Sequence, residues 1–394
     1  MEPFDAGQAG LGQATAQTVY VHGAHEGSFL LSGLAIDYDH HGSGRSEDAP
    51  PIWVFTPPSH GLIGVFDGLG GAGGETIRLT DGSEHSGAWL ASRFTRNCVL
   101  DVYHKLLERA LQASSGGEPH PFVDFTAELR RALEASLSAS AAQIRAGRTA
   151  GLLRSKLIKM LPTTMAICSY NLKDGELAAI WAGDSRVFSL RPDEGLQQIT
   201  VDDLKSGADP LENLIQDSPM SNFVNADTDF ILHERRLPLQ PHTILIAASD
   251  GCFGYLQTPL HFEHAILSTM QESANWAGWE ERLGSRIIEI TGDDSTLSAA
   301  AVGWPDFTAC RAQYAARADW CAQRVGAYDE HRDAVRTLER DLARAREDLA
   351  SKTQALWQEY RVTYEGLTLA QTRDFPKDAD SHENASHPET DESS

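Results

Sequence analysis

GLIGVFDGLGGAGGE, residues 61–75, runs from an apolar stretch of strand type straight into an acid, Asp67, and then into a glycine-rich loop. Gly68, Gly70 and Gly73 stand in the spacing G-x-G-x-x-G, which raises a choice between a dinucleotide cradle and a loop that serves Asp67 itself. A dinucleotide loop needs its third glycine to open a helix inside a βαβ unit. Here ETIRLTDGSEHSG follows, polar and turn-forming, and convincing helical periodicity begins only near Ser86. The spacing alone is weak, and the bland reading of Gly71, Gly73 and Gly74 is a turn without chemistry.

Asp67 is distinguished by recurrence. Apolar strand-like runs end in an acid beside a small residue at LIGVFDG (Asp67), ELAAIWAGDSR (Asp184) and TILIAASDG (Asp250), while the pair Asp293–Asp294 in TGDDST sits just before another such run. Acids at strand ends project into one rim of a sheet, where converging carboxylates repel one another unless protonated or bridged by cations. Hard divalent ions meet that need, since Mg²⁺ and Mn²⁺ favour oxygen ligands. Any one Asp-Gly pair is more often only a turn; the repetition gives the set its weight.

Strand-type runs also occur at 28–39, 52–55, 163–170, 186–190, 229–237 and 295–303, mostly in neighbouring pairs joined by short polar turns such as NLKDGE. That arrangement predicts antiparallel sheets with helices outside them rather than repeated βαβ units. Helical periodicity covers 86–111 and 122–146, and more weakly 259–290. Residues 200–228, rich in Asp, Ser and Asn, read as a mobile surface segment.

With 394 residues the chain has room for one α/β core of ordinary size plus an appendage. Lys and Arg number 33 against 56 Asp and Glu, a formal charge of −23 that disfavours nucleic acid and anionic lipid as partners. The 5 cysteines include no C-x-x-C pair, so neither a disulfide framework nor a zinc site is indicated. With no stretch near the about 18 apolar residues of a spanning helix and no signal-like N-terminus, the expectation is a cytoplasmic protein.

The motifs SEDA, VFDGLGG, TTM, AGDSR, AASDG and GDDST, in that order between about 28 and 304, resemble the metal-dependent serine/threonine protein phosphatases of type 2C, the PPM family, in its bacterial form. The resemblance implies an α+β fold: a four-layer αββα sandwich of two antiparallel sheets flanked by helices, with two divalent ions, Mn²⁺ or Mg²⁺, at one end. It implies that Asp67 bridges the ions, that the Gly68 carbonyl ligates one, and that Asp250 and Asp293 hold the other. Asp293 is preferred to Asp294 because the family's ligand stands three residues before a threonine, here Thr296. Asp184 would help to hold a weaker third ion, Glu47, Asp48 and Asp294 would lie behind the ligands near metal-bound water, and Arg45 would clamp the substrate phosphate. The implied reaction is hydrolysis of phosphoserine and phosphothreonine in proteins by a hydroxide shared between the ions, opposite a Ser/Thr kinase. No cysteine nucleophile is then needed, and Cys252 reads as a small buried residue.

Three departures from the family pattern stand out. Leu69 occupies the place of a histidine found in many eukaryotic members, the interval from Arg45 to Glu47 is short, and about twelve residues (75–86) are inserted after the glycines. The rival reading is a weakly active or inactive homologue that binds partners through its C-terminal region.

That region divides the chain further: an N-terminal segment 1–27, a phosphatase-like domain 28–304, a helical extension 305–370 and an acidic tail 371–394 expected to be disordered. In the extension Tyr328, Val335, Leu342, Leu349 and Leu356 recur every seven residues, with His331, Leu338, Ala345 and Lys352 as a half-apolar companion column. A single long helix or a helical hairpin satisfies this pattern, and its stripe would be covered by the core, by a partner or by self-association.

Overall fold

A computed structural model describes residues 19–20, 30–40, 42, 44–56, 59–78, 82–112, 121–146, 159–205 and 219–367. In chain order the strands are β1 (Val19–Tyr20), β2 (Leu30–Tyr38), β3 (Ala49–Thr56), β4 (His60–Phe66), β5 (Thr76–Arg78), β6 (Glu84–Ser86), β7 (Met165–Asn171), β8 (Glu176–Ala182), β9 (Arg186–Arg191), β10 (Gly195–Gln198), β11 (His233–Pro238), β12 (Thr243–Ala248) and β13 (Ser295–Trp304). The helices are α1 (Gly70–Gly73), α2 (Gly87–Gln112), α3 (Phe125–Ala146), α4 (Pro259–Gln271), α5 (Trp276–Ile290) and α6 (Phe307–Tyr364).

The strands form a six-stranded sheet in the order β1-β2-β13-β12-β9-β10 and a five-stranded sheet in the order β11-β8-β7-β4-β3, with every pairing antiparallel. Side-chain alternation builds the layers. On β4, Leu62 and Phe66 face the helices α2 and α3, whereas Ile63 and Val65 face the other sheet. On β12, Ile244 and Ile246 face α4 and α5, whereas Leu245 and Ala247 meet Ile63 and Val65 between the sheets. Both faces of these strands are therefore buried, which is why LIGVF and TILIAA read as continuous apolar runs. The result is the expected αββα sandwich.

The register brings the acid-bearing strand ends to one rim. Ala49 pairs with Phe66, Val65 with Ala166, and Met165 with Ala182 in one sheet; Tyr38 pairs with Ser295, and Ala248 with both Leu297 and Arg186, in the other. The ends of β2, β4, β8 and β12 and the starts of β3 and β13 thus lie together.

The structure adds detail to four sequence readings. The chain forms two compact units, 1–325 and 326–394, and Phe307, Cys310, Tyr314, Ala318, Cys321 and Val325 on one face of α6 are buried in the core outside the six-stranded sheet. In the insertion β5 and β6 pair as a small antiparallel hairpin. Part of 200–228 is internal, since Val224 is fully buried and exchanges two backbone hydrogen bonds with Thr163, while 206–218 lie outside the described residues. The extension is one continuous helix to Tyr364 rather than a hairpin, and within the second unit Val335, Leu338, Leu342, Leu349 and Leu356 are all exposed. Most of segment 1–27 and all of tail 371–394 fall outside the described residues. Among the described residues no helix is long and apolar enough to cross a membrane.

Candidate active site

Asp67 follows β4 without a linker, and its position is fixed through the backbone. Its carbonyl accepts from Thr163 Oγ1 at 2.6 Å and from the Thr164 amide at 2.8 Å, so the TTM motif holds the acid loop from the neighbouring strand. Gly68 pairs with Thr163 in an isolated bridge, and a Cβ there would meet the carbonyl oxygens of Glu47 and Ala88 at 2.6 and 2.7 Å. Only glycine fits this approach, so the glycine-rich loop packs tightly around the acid. Helix α1, a single turn of GGAG, follows.

The other acids arrive from separate segments. Asp250 opens a short 3₁₀ turn after β12, where Ser249 and Thr296 lock the strand ends by Ser249 N to Thr296 O and Thr296 N to Ser249 Oγ, both 2.9 Å. Asp184 follows Gly183, whose φ of 103° suits only glycine and turns the chain at the end of β8. Asp48, just before β3, is 2% exposed and accepts from Thr296 Oγ1 at 2.9 Å. Asp67, Asp184 and Asp250 each keep an edge open to solvent.

Their electrostatics follow from crowding. Burial pushes Asp48 up to about 7, against hydrogen bonds from Thr296, Asp67 and Ser249. Asp67 stands well above the carboxylate range through burial and the charges of Asp48, Asp250 and Asp184. Asp184 is pushed up to about 8 by burial, Asp250 and Asp202, and burial with the charge of Asp293 raises Asp250. Four carboxyls from four segments thus share one field, with Asp67 facing the charges of Asp48, Asp250 and Asp184.

This donor set fits hard divalent cations in chemistry, being all oxygen and strongly anionic. The Oδ1 of Asp184 is buried without a hydrogen-bond partner, which is the state of an oxygen reserved for a cation. Among the described residues no three His, Cys, Asp or Glu side chains are already arranged around one point.

The two neighbouring acids divide as adjacent residues at a strand start should. Asp293 is exposed and lies within the field of Asp250. Asp294 is 8% exposed, and its carboxylate accepts the amides of His40 at 2.9 Å and Glu47 at 2.8 Å, so it holds the preceding loop. Glu47 accepts through Oε1 from Ser86, just before α2, at 2.6 Å, and its Oε2 lies against Gly70 in the loop after Asp67. Arg45 is exposed at the end of a loop whose amides at Gly42, Gly44 and Arg45 all donate to the Asp39 carboxylate.

Two arginines escaped the sequence reading. Arg186 forms a bidentate pair with Asp202, at 2.9 and 2.6 Å, with both side chains almost wholly buried, and its charge offsets Asp184 and Asp250 from beneath. The final residue of the AGDSR motif was its only signal. Arg93 on α2 lies over the Trp89 ring at 4.0 Å and donates to the Ser46 carbonyl at 3.1 Å. Burial lowers it to about 10, against the charges of Asp37, Asp48 and Asp294, and nothing in its helical sequence context marks it.

No family model matches the sequence, and no curated protein matches it. Solved structures do. The chain is similar to the serine/threonine phosphatase PstP/Ppp of Mycobacterium tuberculosis at 20% identity, covering 69% of this chain and 98% of that one with a TM-score of 0.47. A structure of the PstP catalytic domain described as a complex with 2 manganese ions gives 19% identity, 70% and 99% coverage and a TM-score of 0.44. The serine/threonine phosphatase Stp1 of Staphylococcus aureus gives 16% identity, 71% and 99% coverage and a TM-score of 0.48.

Proposed function

We propose that this protein is a Mn²⁺- or Mg²⁺-dependent phosphatase of the type 2C kind, hydrolysing phosphoserine and phosphothreonine in proteins that a Ser/Thr kinase has modified. The observation that carries the proposal is the convergence of Asp48, Asp67, Asp184 and Asp250 at one sandwich rim, where burial and mutual repulsion make their charge costly. A stable core gains nothing from such a cluster, whereas cation-dependent chemistry requires it. Asp67, the Gly68 carbonyl, Asp250 and Asp293 would hold two ions and Asp184 a third, weaker one. When bound, such ions lower the pKa of water far below about 15.7 and neutralise charge on phosphoryl oxygens.

The protein's own residues supply position and charge. Thr163 fixes the backbone of Asp67, while Asp294 and Arg93 hold the segment 46–48 from two sides. Arg186 keeps the acid cluster from being wholly uncompensated. Arg45, exposed at the end of its loop, would be the cation offered to a substrate phosphate. The catalytic unit in this proposal extends from 28 through Val325, with the first part of α6 completing its core.

Phosphate release from a phosphothreonine peptide, measured in Mn²⁺ and in EDTA, tests the reading. Turnover is expected only with the metal, and Asp250→Asn should lower it at least about 10³-fold while the far-ultraviolet dichroism is unchanged. Equal turnover in EDTA, or near-normal activity of Asp250→Asn at saturating Mn²⁺, would overturn it.

A further inference from the structure

The second unit presents an exposed apolar column along one helix: Val335 is 53% exposed, Leu338 68%, Leu342 51%, Leu349 65% and Leu356 69%. Isolated apolar side chains on a surface need no explanation, but a column repeated every seven residues along one helix face does. We infer that this column is the seam of a parallel, in-register two-stranded coiled coil with a second copy of the same chain.

The charges beside the seam select that occupant. With Val335, Leu342, Leu349 and Leu356 at heptad position a, position g holds Ala334, Asp341, Asp348 and Ala355, and position e holds Arg332, Glu339, Arg346, Thr353 and Tyr360. In a parallel, aligned pair each g residue faces the e residue about five positions further on in the other copy. Asp341 then faces Arg346 of the second copy, twice by symmetry. The remaining g positions face Glu339 from Ala334, Thr353 from Asp348 and Tyr360 from Ala355, so no like charges meet between g and e; within the seam Lys352 faces Lys352 of the second copy.

Other alignments do worse. Sliding one copy by a heptad sets Asp341 against Glu339. An antiparallel pairing that places Glu339 against Arg346 sets Asp341 against Asp348. The antiparallel pairing that places Arg332 against Glu339 avoids repulsion but ends before Leu349 and Leu356, leaving both uncovered. Of these pairings the parallel, aligned one covers the whole column and keeps like charges apart along its g and e flanks. His331 and Lys352 interrupt the companion column, and such polar seam positions cost stability while penalising shifted registers. Asp341 also has Arg344 of its own helix at 3.6 Å, an exposed pair weak enough to yield or share its partner.

The full-length protein at about 20 μM, examined by sedimentation equilibrium, should show twice its 43.0 kDa chain mass. Asp341→Arg and Arg346→Asp should each weaken the dimer at least about tenfold, and the two together should restore it. A Leu349→Cys variant should cross-link to itself on mild oxidation, since aligned a positions meet and the cysteines 98, 168, 252, 310 and 321 are buried. A monomer at this concentration, a dimer indifferent to the single charge reversals or not rescued by the double one, or failure of Leu349→Cys to cross-link would overturn the inference.

Discussion

Replacing Asp48 by Asn isolates one part of the acid cluster's cost. Asp48 is 2% exposed and its carboxyl is pushed from 3.8 up to about 7, chiefly by burial. At about 1.36 kcal/mol per decade this corresponds to roughly 4 kcal/mol between the protonated and ionised extremes. A carboxyl raised by folding favours the folded state while it keeps its proton, and that stability is lost as pH rises through the folded value. Roughly 3 kcal/mol of the loss falls between pH 5 and pH 8 for a group titrating near 7. Asn keeps an acceptor for Thr296 Oγ1, which donates at 2.9 Å, and does not titrate. Urea unfolding in EDTA at the two pH values should therefore show a loss of stability in the wild type that exceeds the loss in Asp48→Asn by about that amount. Asp67, Asp184 and Asp250 give both proteins a slope of the same sign, since all three are raised. Saturating Mn²⁺ should flatten or reverse the wild-type slope, because ligand carboxylates must lose protons to bind metal. Identical pH dependence of wild type and variant in EDTA would refute the reasoning.

Asp294→Ala strips acceptors from the amides of His40 and Glu47 and should cost about 2–4 kcal/mol in unfolding experiments, whereas the exposed Asp293→Ala should leave stability within about 0.5 kcal/mol and lower Mn²⁺-dependent turnover instead; the reverse pattern would exchange their roles. Gly68→Ala drives a Cβ against two carbonyl oxygens at 2.6 and 2.7 Å, neither at the end of a flexible side chain, so a lower melting temperature and lower turnover should appear together. A chain ending at Trp304 should show no cooperative melt, since burial of Phe307, Tyr314, Val325 and their neighbours contributes roughly 8 kcal/mol, comparable with the whole stability of a domain. Tyr314→Ala in the full chain should cost about 3–5 kcal/mol, as it also removes the hydroxyl that donates to the Leu190 carbonyl at 2.6 Å; a loss under about 1 kcal/mol would show that this part of α6 is dispensable.

The sequence by itself indicated antiparallel sheets with helices outside them, because apolar runs such as LIGVF and TILIAA record burial on both faces and short polar turns record antiparallel neighbours; the strand order, which sets β2 beside β13, was decided by the tertiary structure. It also marked Asp67, Asp184, Asp250 and the pair Asp293–Asp294, since an acid abutting an apolar strand is a local pattern. It could not say which of the pair is buried, because Asp294 answers to amides at His40 and Glu47, more than 240 residues away in the chain. Arg186 and Arg93 stayed hidden for the same reason: an arginine in a strand or amphipathic helix reads as solvated until its carboxylates arrive from other segments. The boundary near Trp304 followed a change in composition, but α6 crosses it with one continuous helical repeat. Only packing against the six-stranded sheet separates Phe307–Val325, whose alternate turns are buried, from the residues beyond, whose apolar column is exposed. Helical periodicity specifies that a face exists; what covers that face is a property of the tertiary surroundings.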